Sequence, residues 1–138
     1  MLQTLSLLIL LKVRLLMTNH GFGLLYEMGC GKTLTAIAIT GAAFLKGKVK
    51  KLLVVAPASV VPVWSKEFDN FADFPYMVGT MQGTANKKIE ILKRLQLSEQ
   101  HMSKPMLYVA VINYESVWRE QIFDTIKKWN PDMIICDE

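Results

Sequence analysis

The stretch GLLYEMGCGKTLTAIAI, Gly23–Ile39, decides the fold. It opens on a short apolar run, passes through Gly29-Cys30-Gly31-Lys32-Thr33, and continues with apolar residues at helical spacing. A strand ending at Tyr26 and a helix beginning near Lys32 leave a turn of Glu27, Met28, Gly29, Cys30 and Gly31. Glycine permits the torsions that aim consecutive backbone N–H groups inward, and such a turn feeding a helix N-terminus accepts an anion. Lys32 is then within reach of the β- and γ-phosphates of a nucleotide, and the Thr33 hydroxyl is placed to ligate Mg2+. The nucleotide-contacting stretch is read as Glu27, Met28, Gly29, Cys30, Gly31, Lys32, Thr33 and Leu34. The pattern G-x-x-x-x-G-K-[ST] is met except at its first position, which is Tyr26. A glycine-rich helix start carrying an exposed lysine is the other reading of the same residues.

The far end of the chain supplies a counterpart. DMIICDE, residues 132–138, reads as a buried strand over Met133–Cys136 that delivers Asp137 and Glu138 at its carboxy-terminal tip, where open α/β sheets bind their ligands. In a phosphate-loop enzyme the first carboxylate holds Mg2+, and the second orients or deprotonates the attacking water. A solvated acidic pair is the alternative, and its pairing with Lys32 and Thr33 favours the metal.

Between these ends, strand-like runs alternate with amphipathic stretches. The strands are Gly23–Tyr26, Leu52–Ala56, Tyr76–Thr80, Met106–Ile112 and Met133–Cys136, mostly apolar without a break, which implies a sheet covered on both faces. One helical face carries Leu34, Ile37, Ala38, Gly41, Ala42 and Leu45, and a second carries Val60, Val63, Trp64, Phe68 and Phe71. A third carries Ile89, Leu92 and Leu95, and a fourth Trp118, Ile122, Ile126 and Trp129. Strand and helix in alternation predict a parallel sheet with right-handed crossovers. Ser59 reads as the N-cap of the second helix and Pro62 as a residue of its first turn.

Composition narrows the class. The chain has 138 residues, 51% hydrophobic and 20% charged, which is one domain-sized core. Its net charge of +4 is compatible with a polyanionic partner. Two cysteines far apart, Cys30 and Cys136, suggest neither a disulfide framework nor a metal-ligand pair, and fit a reducing compartment. The apolar run Leu5–Leu11 is too short to span a bilayer, and Lys12 and Arg14 follow it, not precede it as in a signal peptide. Residues 1–16 read as an apolar helix packed on the domain, or as residues joined ahead of a domain that starts near Leu15.

With these residues in place, GLLYEMGCGKTLTAIAI, LLVVAPASVVPVWSKEF, VAVINYESVW and IICDE in this order resemble the motor of superfamily 2 helicase-like ATPases, and within them the Swi/Snf-related translocases of phage and bacterial type. The resemblance runs from Phe22 to Glu138. It implies a three-layer RecA-like α/β domain with a mainly parallel sheet, residues 17–138 being a partial N-terminal ATP-binding domain. It implies ATP and Mg2+ as cofactors, Lys32, Asp137 and Glu138 as catalytic groups, and Thr33 and Asp137 as metal ligands. It further implies that Pro57, Ala58, Ser59, Asn113 and Tyr114 face a nucleic-acid strand, DNA in these motors, bound through its backbone without sequence preference. Tyr114 is open between stacking on that strand and packing on the domain, and Trp64 reads as a core anchor. Lys46, Lys48, Lys50 and Lys51 read as a solvated basic loop.

The same resemblance implies a second motor domain with an arginine finger, which this chain lacks. The chain by itself is therefore expected to bind nucleotide weakly and turn it over slowly, if at all. The expected location is cytoplasmic for a bacterial or phage protein and nuclear for a eukaryotic one. The other readings are a switch GTPase, against which the missing guanine-reading N-K-x-D motif counts, a small-molecule kinase, against which VAPASVVPVW in the place of a substrate lid counts, and a catalytically inert fragment.

Overall fold

The computed structural model describes residues 23–26 and 32–137, with side chains from Thr33 onward. Residues 1–16, the turn Glu27–Gly31 and Glu138 lie outside the described residues. The elements in chain order are β1 (Gly23–Tyr26), α1 (Lys32–Leu45), β2 (Lys51–Ala56), α2 (Val61–Phe71), β3 (Tyr76–Thr80), α3 (Ala85–His101), β4 (Leu107–Asn113), α4 (Tyr114–Val117), α5 (Glu120–Trp129) and β5 (Met133–Asp137). The sheet order is β1-β5-β2-β4-β3, and every pairing is parallel. Each strand therefore ends at the same edge of the sheet.

The strands are continuous apolar runs because the sheet is covered twice, and their alternation sorts the residues into two cores. Leu52, Val54 and Ala56, Leu107, Val109 and Val111, and Met133 and Ile135 meet Ala36 and Ile37 of α1 and Val61, Trp64 and Phe68 of α2. Leu53 and Val55, Tyr108, Ala110 and Ile112, and Ile134 and Cys136 meet Ile89, Leu92 and Leu95 of α3 and Ile122, Ile126 and Trp129 of α5. The result is a three-layer α/β/α domain, the architecture expected of a RecA-like fragment.

Local chemistry sets the element ends. Thr84 caps α3, its hydroxyl accepting from the Lys87 N–H. Asn130, in the left-handed region at φ 57°, closes α5. At the edge where β2 begins, the Asp132 carboxylate accepts from the main-chain N–H groups of Lys50 and Lys51, and Lys51 Nζ donates to the carbonyl of Trp129. The basic cluster at 46–51 thus lies at the amino-terminal edge of the sheet, and Lys51 there is a structural tie.

Four expectations are corrected. Helix α1 presents Ala36, Ile37 and Thr40 to the sheet, while Leu34, Ala38, Ala42 and Leu45 face outward. Gly41 fixes that rotation, since a Cβ there would lie 2.4 Å from Phe74 Cε1, so the phenyl ring needs this bare position. Ser59 does not cap α2: the chain enters the helix through a turn in which the Pro57 carbonyl accepts from the Val60 and Val61 N–H groups, and Val60 is the N-cap without a side-chain bond. Trp118 does not share a helix with Ile122 and Trp129, because the extended backbone of Arg119 separates α4 from α5. On α2, Val63 and Phe71 are exposed while Trp64 and Phe68 are buried.

Candidate functional site

Register brings the chemistry to one edge. Tyr26 pairs with Asp137, and Ala56 pairs with Asn113. Val55 pairs with Cys136, which sets Ala56 level with Asp137. The ends of four strands thus share one rung, and from two of these ends depart the Pro57–Ser59 turn and the Tyr114 segment, with Asp137 itself closing β5. The carboxy-terminal edge of a parallel sheet is where such folds bind ligands.

Strand parity settles which face Asp137 uses. Met133 and Ile135 point to the α1/α2 face, so Asp137 does too. Helix α1 starts at Lys32, at the same edge and on the same face. Lys32 and Thr33 at the helix start and Asp137 at the strand end are therefore on one side of the sheet. Asp137 is only 7% exposed, and its Oδ2 accepts from Trp64 Nε1 at 3.0 Å. Its main-chain carbonyl accepts from the Tyr114 hydroxyl.

Among the described residues no cluster of three or more His, Cys, Asp or Glu is arranged to hold a metal. Mg2+ takes one or two protein oxygens and fills the rest of its octahedron with water and phosphate. The hydroxyl of Thr33 and the carboxylate of Asp137 are hard oxygen donors of the required kind, and the buried carboxylate sits where the strand ends open.

The residues expected to face nucleic acid divide. Ala58 and Ser59 are exposed. Ala58 and Asn113 line a shallow cleft of about 160 Å³ with Gln82, Gly83 and Lys88. Tyr114 instead turns inward, half-buried against the α3/α5 core and bonded to the end of β5. Sequence reasoning missed Lys88. Its Nζ donates to Asn113 Oδ1 at 3.2 Å and to the Ser116 hydroxyl. Partial burial and the neighbouring Arg119 cation push the lysine pKa down, against the pull of Glu115. Glu115 itself titrates below the usual carboxylate range, held by a main-chain hydrogen bond and the Asn113 side-chain amide. The Thr84 cap was the available signal for Lys88, because it fixes where α3 starts and so which lysine lies one turn along.

Fold and edge together define a parallel α/β/α domain of the RecA-like type. The chain belongs to the SNF2-related domain family, whose model matches residues 7–138. It is 29% identical over 119 residues to the DNA repair and recombination protein RAD54-like of Drosophila ananassae, an alignment covering 81% of this chain and 14% of that protein. It is 31% identical over 118 residues to the DNA repair and recombination protein RAD54B of Homo sapiens, covering 81% and 12%. It is 26% identical over 121 residues to the chromatin remodeling factor mit1 of Schizosaccharomyces pombe, covering 88% and 8%. The chain thus spans a small fraction of the length of these relatives. No helix among the described residues is long and apolar enough to cross a membrane.

Proposed function

We propose that this chain is the ATP-binding part of a Swi/Snf-related motor that hydrolyses ATP to move along DNA. The single observation that carries the reading is the rung at which β1, β2, β4 and β5 end together, with the Asp137 carboxylate on the face covered by the helix that opens at Lys32. In this reading Gly29, Gly31 and Lys32 hold the nucleotide phosphates, Thr33 and Asp137 hold Mg2+, and Glu138 orients the attacking water. Mg2+ held by Thr33 and Asp137 would supply neutralisation of charge on the transferring phosphoryl group. The α1 N-terminus adds its partial positive charge to the same anion. The cleft at Ala58, Lys88 and Asn113 offers a lysine and a side-chain amide to a phosphodiester backbone, contacts that position a strand without reading its sequence. Relatives named for DNA repair and chromatin remodelling support DNA as the track.

Calorimetry tests it. Lys32→Ala is expected to abolish Mg·ATP binding, and unchanged affinity would defeat the assignment. DNA binding is expected to be indifferent to sequence and to fall steeply as salt rises, through release of condensed counterions.

A further inference from the structure

Asp137 is held at two points. Its carboxylate oxygen Oδ2 accepts from the indole N–H of Trp64, and its carbonyl accepts from the Tyr114 hydroxyl. Trp64 comes from α2, one turn past the Pro57–Ser59 turn, and Tyr114 directly follows Asn113 at the end of β4. Neither bond is local, since 73 residues separate Trp64 from Asp137 and 23 separate Tyr114 from it. An indole N–H is a donor only, so a carboxylate is a partner it always matches. Both groups are almost fully buried, at 2% and 7% exposure, and a hydrogen bond to a charged acceptor strengthens when water is excluded. One bond to the side chain and one to the main chain together fix where the strand tip lies and how the carboxylate is turned.

Trp64 is not needed there for volume alone. Trp129, equally buried on the other face, has an indole nitrogen with no hydrogen-bond partner among the described residues. The pairing at Trp64 is therefore a property of that site and not of buried tryptophans in this fold.

We propose that Trp64 and Tyr114 are positioning residues for Asp137, which set the carboxylate to receive Mg2+ and tie it to the two segments that depart from the same edge. The inference rests on the reading of Asp137 as a metal holder. Partners of a ligating carboxylate typically change metal affinity by about ten- to a hundredfold when removed.

The test uses the 138-residue chain and ADP, with binding measured by calorimetry in the presence and absence of Mg2+. The quantity read is the gain in affinity that Mg2+ supplies, which a general loss of packing would not alter selectively. Trp64→Phe is expected to keep the metal-free affinity and lose about tenfold or more of the Mg2+ gain. Tyr114→Phe is expected to lose less, since it frees the main chain and not the carboxylate. Trp129→Phe is expected to lose none. A second readout needs no substitution at Trp64: in the 15N-labelled chain, its indole N–H resonance is expected to shift when Mg·ADP binds and to shift again in Asp137→Asn, while that of Trp129 stays put.

Loss of the Mg2+ gain in Asp137→Asn with full gain in Trp64→Phe overturns the positioning role alone. An indole resonance indifferent to both Mg·ADP and Asp137→Asn does the same, even if Trp64→Phe fails to fold. Full gain in Asp137→Asn, or a chain that binds no ADP, overturns the metal assignment and this inference with it.

Discussion

The α1/α2 face and the α3/α5 face of the sheet each bury one tryptophan almost completely, yet the two indole nitrogens are treated differently. On the first, the Trp64 indole and the Asp137 carboxylate satisfy each other at the site edge, and the Thr40 hydroxyl donates to the Ala36 carbonyl one turn back in its own helix. On the second, the Trp129 indole is buried without a partner among the described residues, while its main-chain carbonyl at the end of α5 accepts from Lys51 Nζ. An unpaired buried N–H costs about 1–3 kcal/mol. A core meets that cost where a large ring is needed to fill space. Where a carboxylate has to be held in one orientation, the ring is placed so that its nitrogen is used. The difference separates a tryptophan that only fills the core from one whose nitrogen also holds a carboxylate.

The comparison is broken most severely at Phe68. This ring is fully buried beneath the site face, with its centroid 6.3 Å from that of Trp64 and 5.4 Å from that of Tyr76. Phe68→Ala is expected to cost about 3–5 kcal/mol, read from the denaturant midpoint at unchanged slope. A loss under about 1 kcal/mol would mean that Trp64 is not held from below.

A pair of matched substitutions isolates the nitrogens. Trp64→Phe and Trp129→Phe remove similar volume, so their cavity costs are comparable, but only the first gives up a bond to a charged group. Trp64→Phe is therefore expected to be the more destabilising by about 1–3 kcal/mol in chemical unfolding. Equal losses would erase the contrast between the two faces.

The smallest effect concerns Glu115, an exposed carboxylate at the start of α4. Its pKa in the folded chain lies below the ordinary 4.5, so the folded state binds fewer protons than the unfolded state between the two values. The stabilisation is complete above 4.5 and is lost as pH falls through the folded-state pKa. Glu115→Gln is expected to flatten this part of the acid limb in thermal melts, and an unaltered pH profile would count against the main-chain and Asn113 hydrogen bonds together holding this carboxylate.

Much of this was legible in the chain. The five strands were readable because a parallel sheet covered on both faces needs uninterrupted apolar runs, and each observed strand lies within one residue of its expected bounds. The Ile89, Leu92 and Leu95 face of α3 was readable because lysines and glutamates surround it. Helix α1 was not, since KTLTAIAITGAAFL is apolar on nearly every side and its periodicity leaves the rotation open. The neighbour decided it, through the ring of Phe74 against Gly41. The break at Arg119 had no glycine or proline to announce it.

The sequence by itself determined the layers, the alternation of strand and helix, and the order of the Gly-Lys-Thr stretch, the Pro57–Ser59 turn, the Asn113-Tyr114 segment and the acidic end, because these follow from local periodicity and short spacing. Only the tertiary structure decided that the strand ends Tyr26, Ala56, Asn113 and Asp137 share one rung and that Trp64 and Tyr114 both close on Asp137. Parallel register and a common burial face join residues that chain spacing leaves tens of positions apart, and no local rule can supply that contact.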